Sequence, residues 1–328
     1  MTGTARVALV GAGYWGSRLA RNLAHDDGCE LRYVCDLDAT RARITAEARA
    51  SRATTSIDEV LADRSVDALV VATPSATHAA LVGEAIDAGL HVLVAKPLAG
   101  SGAAVLGLAQ RAEAAEVVVM CDQTYRFAAA VPAIRAILSA PGFGPVRQVD
   151  SVRTNCGHEQ PDLDVFWDLA YHDLSILDAV LPGGLGDELE VRAEVRDVVG
   201  VGRPHQGDLT LHWASGLRAI VRVDWHGTAK TRSLRVAGDD QEISWDDATG
   251  GADVRHRGRT VPLTDDREPL AGVVAEFLAA IAHGRAPSCG PAQEVRVLSV
   301  LEAATTSAAL GGEPRVVAPM FSPTASAP

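Results

Sequence analysis

Lysine is nearly absent from this chain. Of its 30 basic residues only Lys96 and Lys230 are lysines, and the others are arginines. A lysine kept inside an apolar stretch indicates a site that needs a compact amine whose pKa can shift, because a guanidinium cannot take that role. Lys96 follows the apolar run His91–Ala95 and precedes Pro97. It is therefore a candidate functional residue.

Cysteine pairs, long apolar runs and excess positive charge are also lacking. The five cysteines are scattered and form no C-x-x-C pair, which predicts neither disulfides nor a zinc site; each is expected to be a small buried apolar residue. No apolar run reaches about 18 residues and no basic-then-apolar leader occurs, so a cytoplasmic protein that does not enter a membrane is expected. The net charge of -12 argues against binding to nucleic acid or to acidic membranes.

Metal-ligand spacing is missing as well, and no metal site is predicted. His205, His212 and His226 fall on predicted strands at irregular intervals. Solvated or core histidines explain this pattern better than ligands do.

A glycine-rich turn near the start of the chain is the most informative stretch that is present. The apolar run Val7–Val10 predicts a buried strand, and Gly11, Gly13 and Gly16 follow it in G-x-G-x-x-G spacing before a predicted helix. Such glycines permit a tight bend, the approach of a pyrophosphate and close packing of helix on strand. Asp36 ends the next predicted strand, about where a residue that binds the adenosine ribose is expected. The alternative is a glycine turn without a ligand.

Strands and helices alternate over residues 1–123, which predicts an α/β fold with a doubly wound parallel sheet. Ligands of such sheets bind beyond the carboxyl ends of the strands. Five predicted strands end near one crevice, at Gly11, Asp36, Thr73, Lys96 and Gln123.

The pattern changes after residue 123. Several alternating segments between 189 and 261 predict a mostly antiparallel sheet, and two helices follow. The predicted division is 1–123 and 124–321, with a disordered Ser/Pro/Ala-rich tail at 322–328. Two domains of ordinary size fit the 328 residues.

A polar pair stands out on the apolar helix predicted for Phe166–Leu181. Asp168 and His172 are four residues apart and share one face of an α-helix, so the carboxylate can hold the imidazole for general acid/base work near neutral pH. Asp173 is expected to face elsewhere. An ordinary exposed ion pair is the alternative.

These motifs together resemble the glucose–fructose oxidoreductase / inositol dehydrogenase (Gfo/Idh/MocA) family. The resemblance is carried by the glycine turn, by residues 72–78, by residues 89–97, by Tyr125-Arg126-Phe127, and by residues 167–176. The last stretch has the form used by the branch that oxidises nucleotide sugars at the C3 hydroxyl. The resemblance implies a Rossmann domain at 1–123 and a substrate-binding and oligomerisation domain at 124–321 with a large open-faced sheet.

The resemblance also implies site residues and partners. Catalytic roles fall to Lys96, Asp168 and His172. Residues near the substrate are Lys96, Tyr125, Arg126, Arg153, Asn155, Trp167 and His172. Residues around the nicotinamide nucleotide are Gly11, Gly13, Tyr14, Trp15, Gly16, Asp36, Thr73, Ser75, His78, Lys96 and Gln123. A small sugar-like substrate and a homodimer or homotetramer are expected.

Two positions depart from the family pattern. The family usually has Glu before Lys-Pro, where this chain has Ala95, so the cofactor is expected to be held less firmly. Many members carry Asp three residues after the catalytic His, where this chain has Ser175. The serine fits the nucleotide-sugar branch but leaves the substrate class open.

The function that follows is an NAD-dependent dehydrogenase acting on a secondary hydroxyl of a sugar, nucleotide sugar or cyclitol. Asp36 favours NAD over NADP, because a 2′-phosphate would meet a carboxylate; Arg41 is interpreted as a solvated helical residue. Two alternatives stay open: a dinucleotide-binding regulator or partner subunit without catalysis, which Ala95 favours, and an imine or enone reductase.

Overall fold

The chain forms two compact units in a computed structural model that describes residues 4–157, 159–160, 162–197, 204–248, 253–265 and 267–318. The first unit runs to Phe127 and also includes Arg267–Val295; the second runs from Ala128 and resumes at Arg296. The sequence placed 267–295 with the second domain, whereas the structure places it with the first. The predicted tail at 322–328 lies outside the described residues.

A parallel sheet forms the centre of the first unit. Within the described part of the chain it has six strands in the order β3-β2-β1-β4-β5-β6, and every neighbouring pair is parallel. This confirms the predicted doubly wound α/β fold. The strands are β1 (Ala5–Val10), β2 (Cys29–Cys35), β3 (Arg52–Thr54), β4 (Ala68–Val71), β5 (His91–Ala95) and β6 (Val119–Asp122).

Six helices belong to this unit, by the same described ranges. Three of them begin where a side chain accepts backbone N–H groups: Asp38, Ser56 and Ser101 cap α2, α3 and α5. The helices are α1 (Tyr14–His25), α2 (Ala39–Glu47), α3 (Ile57–Ala62), α4 (His78–Asp87), α5 (Gly102–Ala114) and, near the end of the chain, α8 (Pro269–His283).

The position of α8 explains why 267–295 belongs to the first unit. Its apolar residues, with Phe277 at the centre, join β1 and α1 in one buried cluster that includes Leu9 and Leu23. Arg21 on α1 also pairs with Glu268, next to the start of α8. Apolar burial therefore brings a distant segment of the chain onto the Rossmann sheet.

A larger, mostly antiparallel sheet forms the second unit, as predicted. Its order, within the described ranges, is β14-β13-β12-β11-β7-β10-β9-β8-β15, and only the β7–β10 pair is parallel. The strands are β7 (Gln148–Cys156), β8 (Leu189–Arg196), β9 (Gln206–Trp213), β10 (Arg218–Asp224), β11 (His226–Ala237), β12 (Glu242–Asp246), β13 (Asp253–His256), β14 (Arg259–Thr260) and β15 (Arg315–Val317).

Two helices of this unit are α6 (Ala130–Leu138) and α7 (Tyr171–Val180), and α9 (Pro291–Ala309) divides between the units after Val295. A π-helical turn, Phe166–Ala170, precedes α7. Alternate residues along β10 are buried, which is typical of a sheet with one covered face and one open face.

Cysteine burial follows the prediction in part. Cys35, Cys121 and Cys289 are buried, but Cys156 is exposed at the end of β7, where the strand leaves the covered part of the sheet. In the described ranges, no helix combines the length and apolar character that crossing a membrane requires.

Candidate functional site

The three glycines of the first turn have the distinct surroundings that a dinucleotide loop requires. Gly11 has φ +89°, and a Cβ there would lie 2.5 Å from the carbonyl oxygen of Ala72. A Cβ on Gly16 would lie 1.8 Å from the carbonyl oxygen of Gly11, so only glycine lets α1 approach the strand this closely. A Cβ on Gly13 would meet nothing within 4 Å, and its backbone is therefore open to a ligand.

The N-terminus of α1 offers backbone donors beside this opening. Gly13 is its N-cap, no side chain caps it, and the first turn carries no acidic residue. Such a helix end binds anionic phosphate groups through its N–H groups and its dipole. Tyr14 is 71% exposed and Arg18 stacks on its ring at 4.5 Å. These residues fit a pyrophosphate.

Asp36 is a buried carboxylate that links the second strand to the glycine turn. Its Oδ2 accepts the N–H of Ala12 at 2.7 Å, and its Oδ1 accepts the N–H of Asp38 at 2.8 Å. The guanidinium of Arg41 donates to Oδ1 at 2.9 Å, so Arg41, which is solvent-exposed as expected, is also an ion-pair partner of Asp36. Burial would raise the pKa of Asp36, but these hydrogen bonds outweigh it and hold the pKa below its ordinary value.

His78 joins the ends of two strands. Its ring is 1% exposed, with Nδ1 at 2.7 Å from the carbonyl oxygen of Pro97 and Nε2 at 2.9 Å from that of Thr73. The loops after β4 and β5, which carry Thr73 and Lys96, are therefore held at a fixed spacing. Direct contact of His78 with a cofactor stays a prediction.

Asp122, at the end of β6, is a buried residue that the sequence reasoning did not single out. Its Oδ2 accepts the indole N–H of Trp15 at 2.8 Å, and its Oδ1 accepts the hydroxyl of Thr124 at 2.5 Å. Burial raises its pKa, and these hydrogen bonds and the positive charge of Lys96 oppose that rise. Asp122 thus ties the glycine turn to β6 and interacts electrostatically with the candidate lysine. The same strand-end rule that selected Gln123 would have found it.

Glu294, in the first turn of α9, was also missed. It is fully buried, its Oε1 accepts the N–H of Leu98 at 3.0 Å, and its Oε2 accepts the amide of Gln123 at 3.1 Å. One carboxylate therefore holds the loop that follows Lys96 and the residue that follows β6. No sequence signal indicated it, because its partners lie about 170 to 200 positions away. Gln123 itself is fully buried, and its contact with a cofactor stays a prediction.

In the second unit, the helix with the polar pair starts with a π-helical turn. Asp164 accepts the N–H groups of Phe166 and Trp167 at 2.8 and 2.9 Å, which starts the helix. The predicted regular α-helix from Phe166 is wrong at this turn, because a π-helical turn bonds residues five apart and not four. The α-helical spacing used to pair Asp168 with His172 does not apply unchanged, and π-helical turns often occur at functional sites.

Asp168 lies within that turn and is 7% exposed. Its Oδ2 accepts the indole N–H of Trp225 at 2.8 Å. His172 is half-buried in the first turn of α7, and its carbonyl oxygen accepts the hydroxyl of Ser175 at 2.8 Å. Orientation of His172 by Asp168 stays a prediction. Trp225 was missed, because nothing in the sequence connects it to residue 168.

Asp173 faces away from this pair, as expected. Its carboxylate accepts the guanidinium Nε of Arg153 and the hydroxyl of Ser151, both at 2.7 Å, and the Asp173 and Arg153 side chains are each 5% exposed. Arg153 is thus a structural ion-pair partner on the covered face of the sheet. Its predicted contact with substrate is not favoured by this burial.

The other predicted substrate residues divide between the units. Tyr125 and Arg126 lie in a 3₁₀ turn of the first unit, and Asn155 lies near the end of β7 in the second. Trp167 is half-buried, and its indole donates to the hydroxyl of Thr305 at 3.1 Å. Their roles toward substrate stay predictions, as does that of Ser75 toward the cofactor.

Two of the three histidines singled out in the sequence, His205 and His226, lie side by side. The rings of His205 and His226 meet edge to face at 5.0 Å, and Nε2 of His226 lies 2.5 Å from Glu159. Within the residues described, no group of three or more His, Cys, Asp or Glu side chains has a metal-binding arrangement.

Known proteins resemble the chain along almost its whole length. Residues 5–123 match the model of the Gfo/Idh/MocA oxidoreductase family with an NAD-binding Rossmann fold. A UDP-N-acetylglucosamine 3-dehydrogenase from Acidithiobacillus ferrooxidans is 30% identical over 313 residues, which cover 90% of this chain and 94% of that protein. An inositol 2-dehydrogenase from Rhizobium meliloti is 25% identical over 93% of this chain and 97% of that protein. The crystal structure of GenD2 from gentamicin A biosynthesis, in complex with NAD, has a TM-score of 0.86 at 26% identity, with 97% of each chain covered.

The parallel sheet, the glycine turn and these similarities define an oxidoreductase with a nucleotide-binding Rossmann unit. The chain belongs to the Gfo/Idh/MocA family.

Proposed function

We propose that the chain is an NAD-dependent dehydrogenase that acts on a secondary hydroxyl of a sugar, with C3 of a nucleotide sugar as the preferred position. The observation that carries this proposal is the 30% identity with a UDP-N-acetylglucosamine 3-dehydrogenase over 90% of the chain. Ser175 also fits the nucleotide-sugar branch of the family. The inositol 2-dehydrogenase similarity, at 25%, makes cyclitols the second substrate class to test.

The residues of the first unit supply binding and charge. The backbone around Gly13 and the first turn of α1 would hold the pyrophosphate, and Asp36 would accept the ribose hydroxyls. When bound, the nicotinamide supplies the hydride acceptor or donor. The ammonium of Lys96 stabilises negative charge that develops on the reacting oxygen.

The residues of the second unit move the proton. His172 takes the proton from the substrate hydroxyl in the oxidation direction and returns it in the reduction direction. Asp168 holds the imidazole in a fixed orientation. Such a carboxylate–imidazole pair exchanges protons near neutral pH.

The proposed preference for NAD over NADP depends on Asp36, and Arg41 is expected to weaken that preference. The carboxylate would repel a 2′-phosphate, whereas the guanidinium of Arg41, 2.9 Å from the same carboxylate, would attract one. We expect measurable turnover with NADP, at lower kcat/KM than with NAD.

The test offers the protein NAD and a panel of nucleotide sugars, sugars and cyclitols. Reduction of NAD is measured by the absorbance of the reduced nicotinamide. Lys96→Ala and His172→Ala should each lower kcat by roughly 10²–10⁴-fold. Lys230→Ala and His212→Ala are matched controls, because both residues are exposed on the large sheet, and they should leave kcat unchanged. Wild-type rates for both test variants would remove these residues from the mechanism.

A non-catalytic dinucleotide-binding role is the second candidate, and Ala95 favours it. The family glutamate that precedes Lys-Pro is replaced by a methyl group here. Tight NAD binding without turnover of any member of the panel would support this candidate. Turnover of one member at kcat above that of the His172→Ala variant would reject it.

Assembly of the chain with a second copy of itself is also proposed. The uncovered face of the large sheet is available for this, and it carries cross-strand ion pairs such as Arg196–Asp208 at 2.8 Å. Light scattering after size-exclusion chromatography should give a mass of two or four chains. A mass of 34.3 kDa would reject the proposal.

A further inference from the structure

Trp225 is the largest fully buried side chain of the second unit, and its one hydrogen-bond donor bonds to a candidate catalytic carboxylate. It lies between β10 and β11, is 0% exposed, and its Nε1 donates to Oδ2 of Asp168 at 2.8 Å. A buried indole N–H needs a hydrogen-bond partner. Here the partner is a carboxylate on the π-helical turn, 57 positions away in the sequence.

The backbone of Trp225 is fixed on both sides. Its N–H donates to the carbonyl oxygen of His205 at 2.9 Å, and its carbonyl oxygen accepts the N–H of Gly157 at 2.7 Å. Three strand ends of the large sheet therefore hold the residue. The indole presents its N–H from a rigid position, and the carboxylate must align with it.

A charge-assisted hydrogen bond to one carboxylate oxygen restrains rotation of the group about its Cβ–Cγ bond, and thus the direction of its second oxygen. We propose that Trp225 is a positioning residue of the reaction: it orients the Asp168 carboxylate so that this carboxylate can in turn hold the catalytic imidazole. This inference rests on the proposed function, which gives Asp168 its role. Trp225 touches neither substrate nor cofactor in this scheme and acts only through Asp168.

The chain offers a matched control for this proposal. Trp245 lies on β12 of the same large sheet and is 4% exposed. Its indole N–H makes no hydrogen bond with the residues described. Both tryptophans are almost completely buried. Only Trp225 combines that burial with a bond to Asp168, so the two residues separate packing from positioning.

The experiment is a double-mutant cycle in the full chain with NAD and the substrate found in the panel. Trp225→Phe should lower kcat/KM by roughly 10- to 100-fold, the size of the loss seen when residues that orient metal-binding side chains are replaced. In an Asp168→Asn background the same substitution should cause less than about a threefold further loss, because the effect passes through that carboxylate. Trp245→Phe should lower kcat/KM by less than about twofold in both backgrounds, because it removes no bond to the site.

A second replacement covers the case in which the smaller phenylalanine prevents folding. Benzothienylalanine at position 225 keeps the shape of tryptophan and replaces the N–H with sulfur. It should cause a loss of kcat/KM similar to that of Trp225→Phe. A crystal structure of this variant, which needs no activity, should show the Asp168 carboxylate rotated from its wild-type orientation.

The outcomes separate this inference from the proposed function. Wild-type kcat/KM in Asp168→Asn would remove Asp168 from the proposed mechanism. A slow Asp168→Asn with a fast benzothienylalanine variant would overturn the inference alone. Equal losses from Trp225→Phe in both backgrounds, or an unrotated carboxylate in the crystal, would also overturn it.

Discussion

Replacing Gly13 or Gly16 by alanine is predicted to have different effects, on ligand binding in the first case and on stability in the second. The two residues belong to one glycine turn and lie three positions apart, yet the space around them differs. A Cβ on Gly16 would lie 1.8 Å from the carbonyl oxygen of Gly11, whereas a Cβ on Gly13 would meet nothing within 4 Å. Gly16 should therefore contribute to the stability of the fold, and Gly13 to ligand binding.

The cost of Gly16→Ala follows from the displacement that it requires. The distance from the new Cβ to the carbonyl oxygen of Gly11 must increase by more than about 1 Å before the two atoms no longer clash. The clashing atom belongs to the backbone and cannot turn aside as a flexible side chain would. Overpacking of this kind costs roughly 1–3 kcal/mol, and occasionally more. The higher helix propensity of alanine offsets about 1 kcal/mol of this cost. A clash of 1.8 Å with backbone belongs at the upper end of that range, so the net loss is about 2 kcal/mol, which lowers Tm by about 4–8 °C for a unit of this size.

Gly13→Ala should leave the unliganded fold intact. Its φ of -70° and extended ψ are accessible to alanine, so the substitution stabilises the fold by up to about 1 kcal/mol or changes nothing. The added methyl group would occupy the open space in which a pyrophosphate is expected, and the Kd for NAD should rise at least about tenfold, as one lost close contact with a charged group predicts.

Differential scanning calorimetry without ligand and titration calorimetry with NAD measure the two effects. The expected pattern is a lower Tm for Gly16→Ala, and an unchanged or slightly higher Tm with weaker NAD binding for Gly13→Ala. An unchanged Tm for Gly16→Ala would refute the packing argument. Undiminished NAD affinity in Gly13→Ala would refute the placement of the pyrophosphate.

Three further substitutions test other parts of the fold. Gly207→Ala would place a Cβ 2.2 Å from the ring of Phe166, so it should displace the π-helical turn and lower both Tm and kcat, measured by calorimetry and turnover. Asp173→Asn removes the charge that faces the buried guanidinium of Arg153 at 2.7 Å and should lower the free energy of unfolding by about 3–5 kcal/mol in denaturant titrations. The hydrogen bond from Arg6 lowers the pKa of Asp67 below its unfolded value of about 3.9. The ionised carboxylate therefore stabilises the fold above that value, and this contribution is lost as the pH falls through the lower folded pKa. The difference in the free energy of unfolding between wild type and Asp67→Asn, measured in denaturant titrations, should be constant above about pH 5 and vanish in strong acid.

The fold was predictable where its signals are local. Short buried apolar strands, each followed by a helix, gave the parallel sheet of the first unit, and the alternation of the later strands gave the antiparallel sheet. The assignment of α8 to the first unit was not predictable, because it depends on which apolar face Phe277 packs against. No local pattern carries that information.

The candidate site shows the same limit. The glycine turn and Asp36 could be found from spacing, because a short strand-turn-helix unit fixes their geometry. The role of Arg41 could not, since a helical arginine near a strand end has either solvent or a carboxylate as its partner. The π-helical turn at Asp168 could not be predicted either, because no local pattern of residues 166–170 distinguishes it from a turn of α-helix.

The residues that hold the site together are distant from the motifs that identify it. Trp15 bonds to Asp122, Glu294 bonds beside Lys96, and Trp225 bonds to Asp168, so each pair joins segments at least 57 positions apart. Such pairs form only after the chain has folded, and the loss of either partner removes a hydrogen bond from a buried polar group. A related chain that keeps the glycine turn, Lys-Pro and the Asp–His helix but lacks these supports would match the motifs and still be expected to lose much of its rate, since the reacting groups would no longer be held in one orientation.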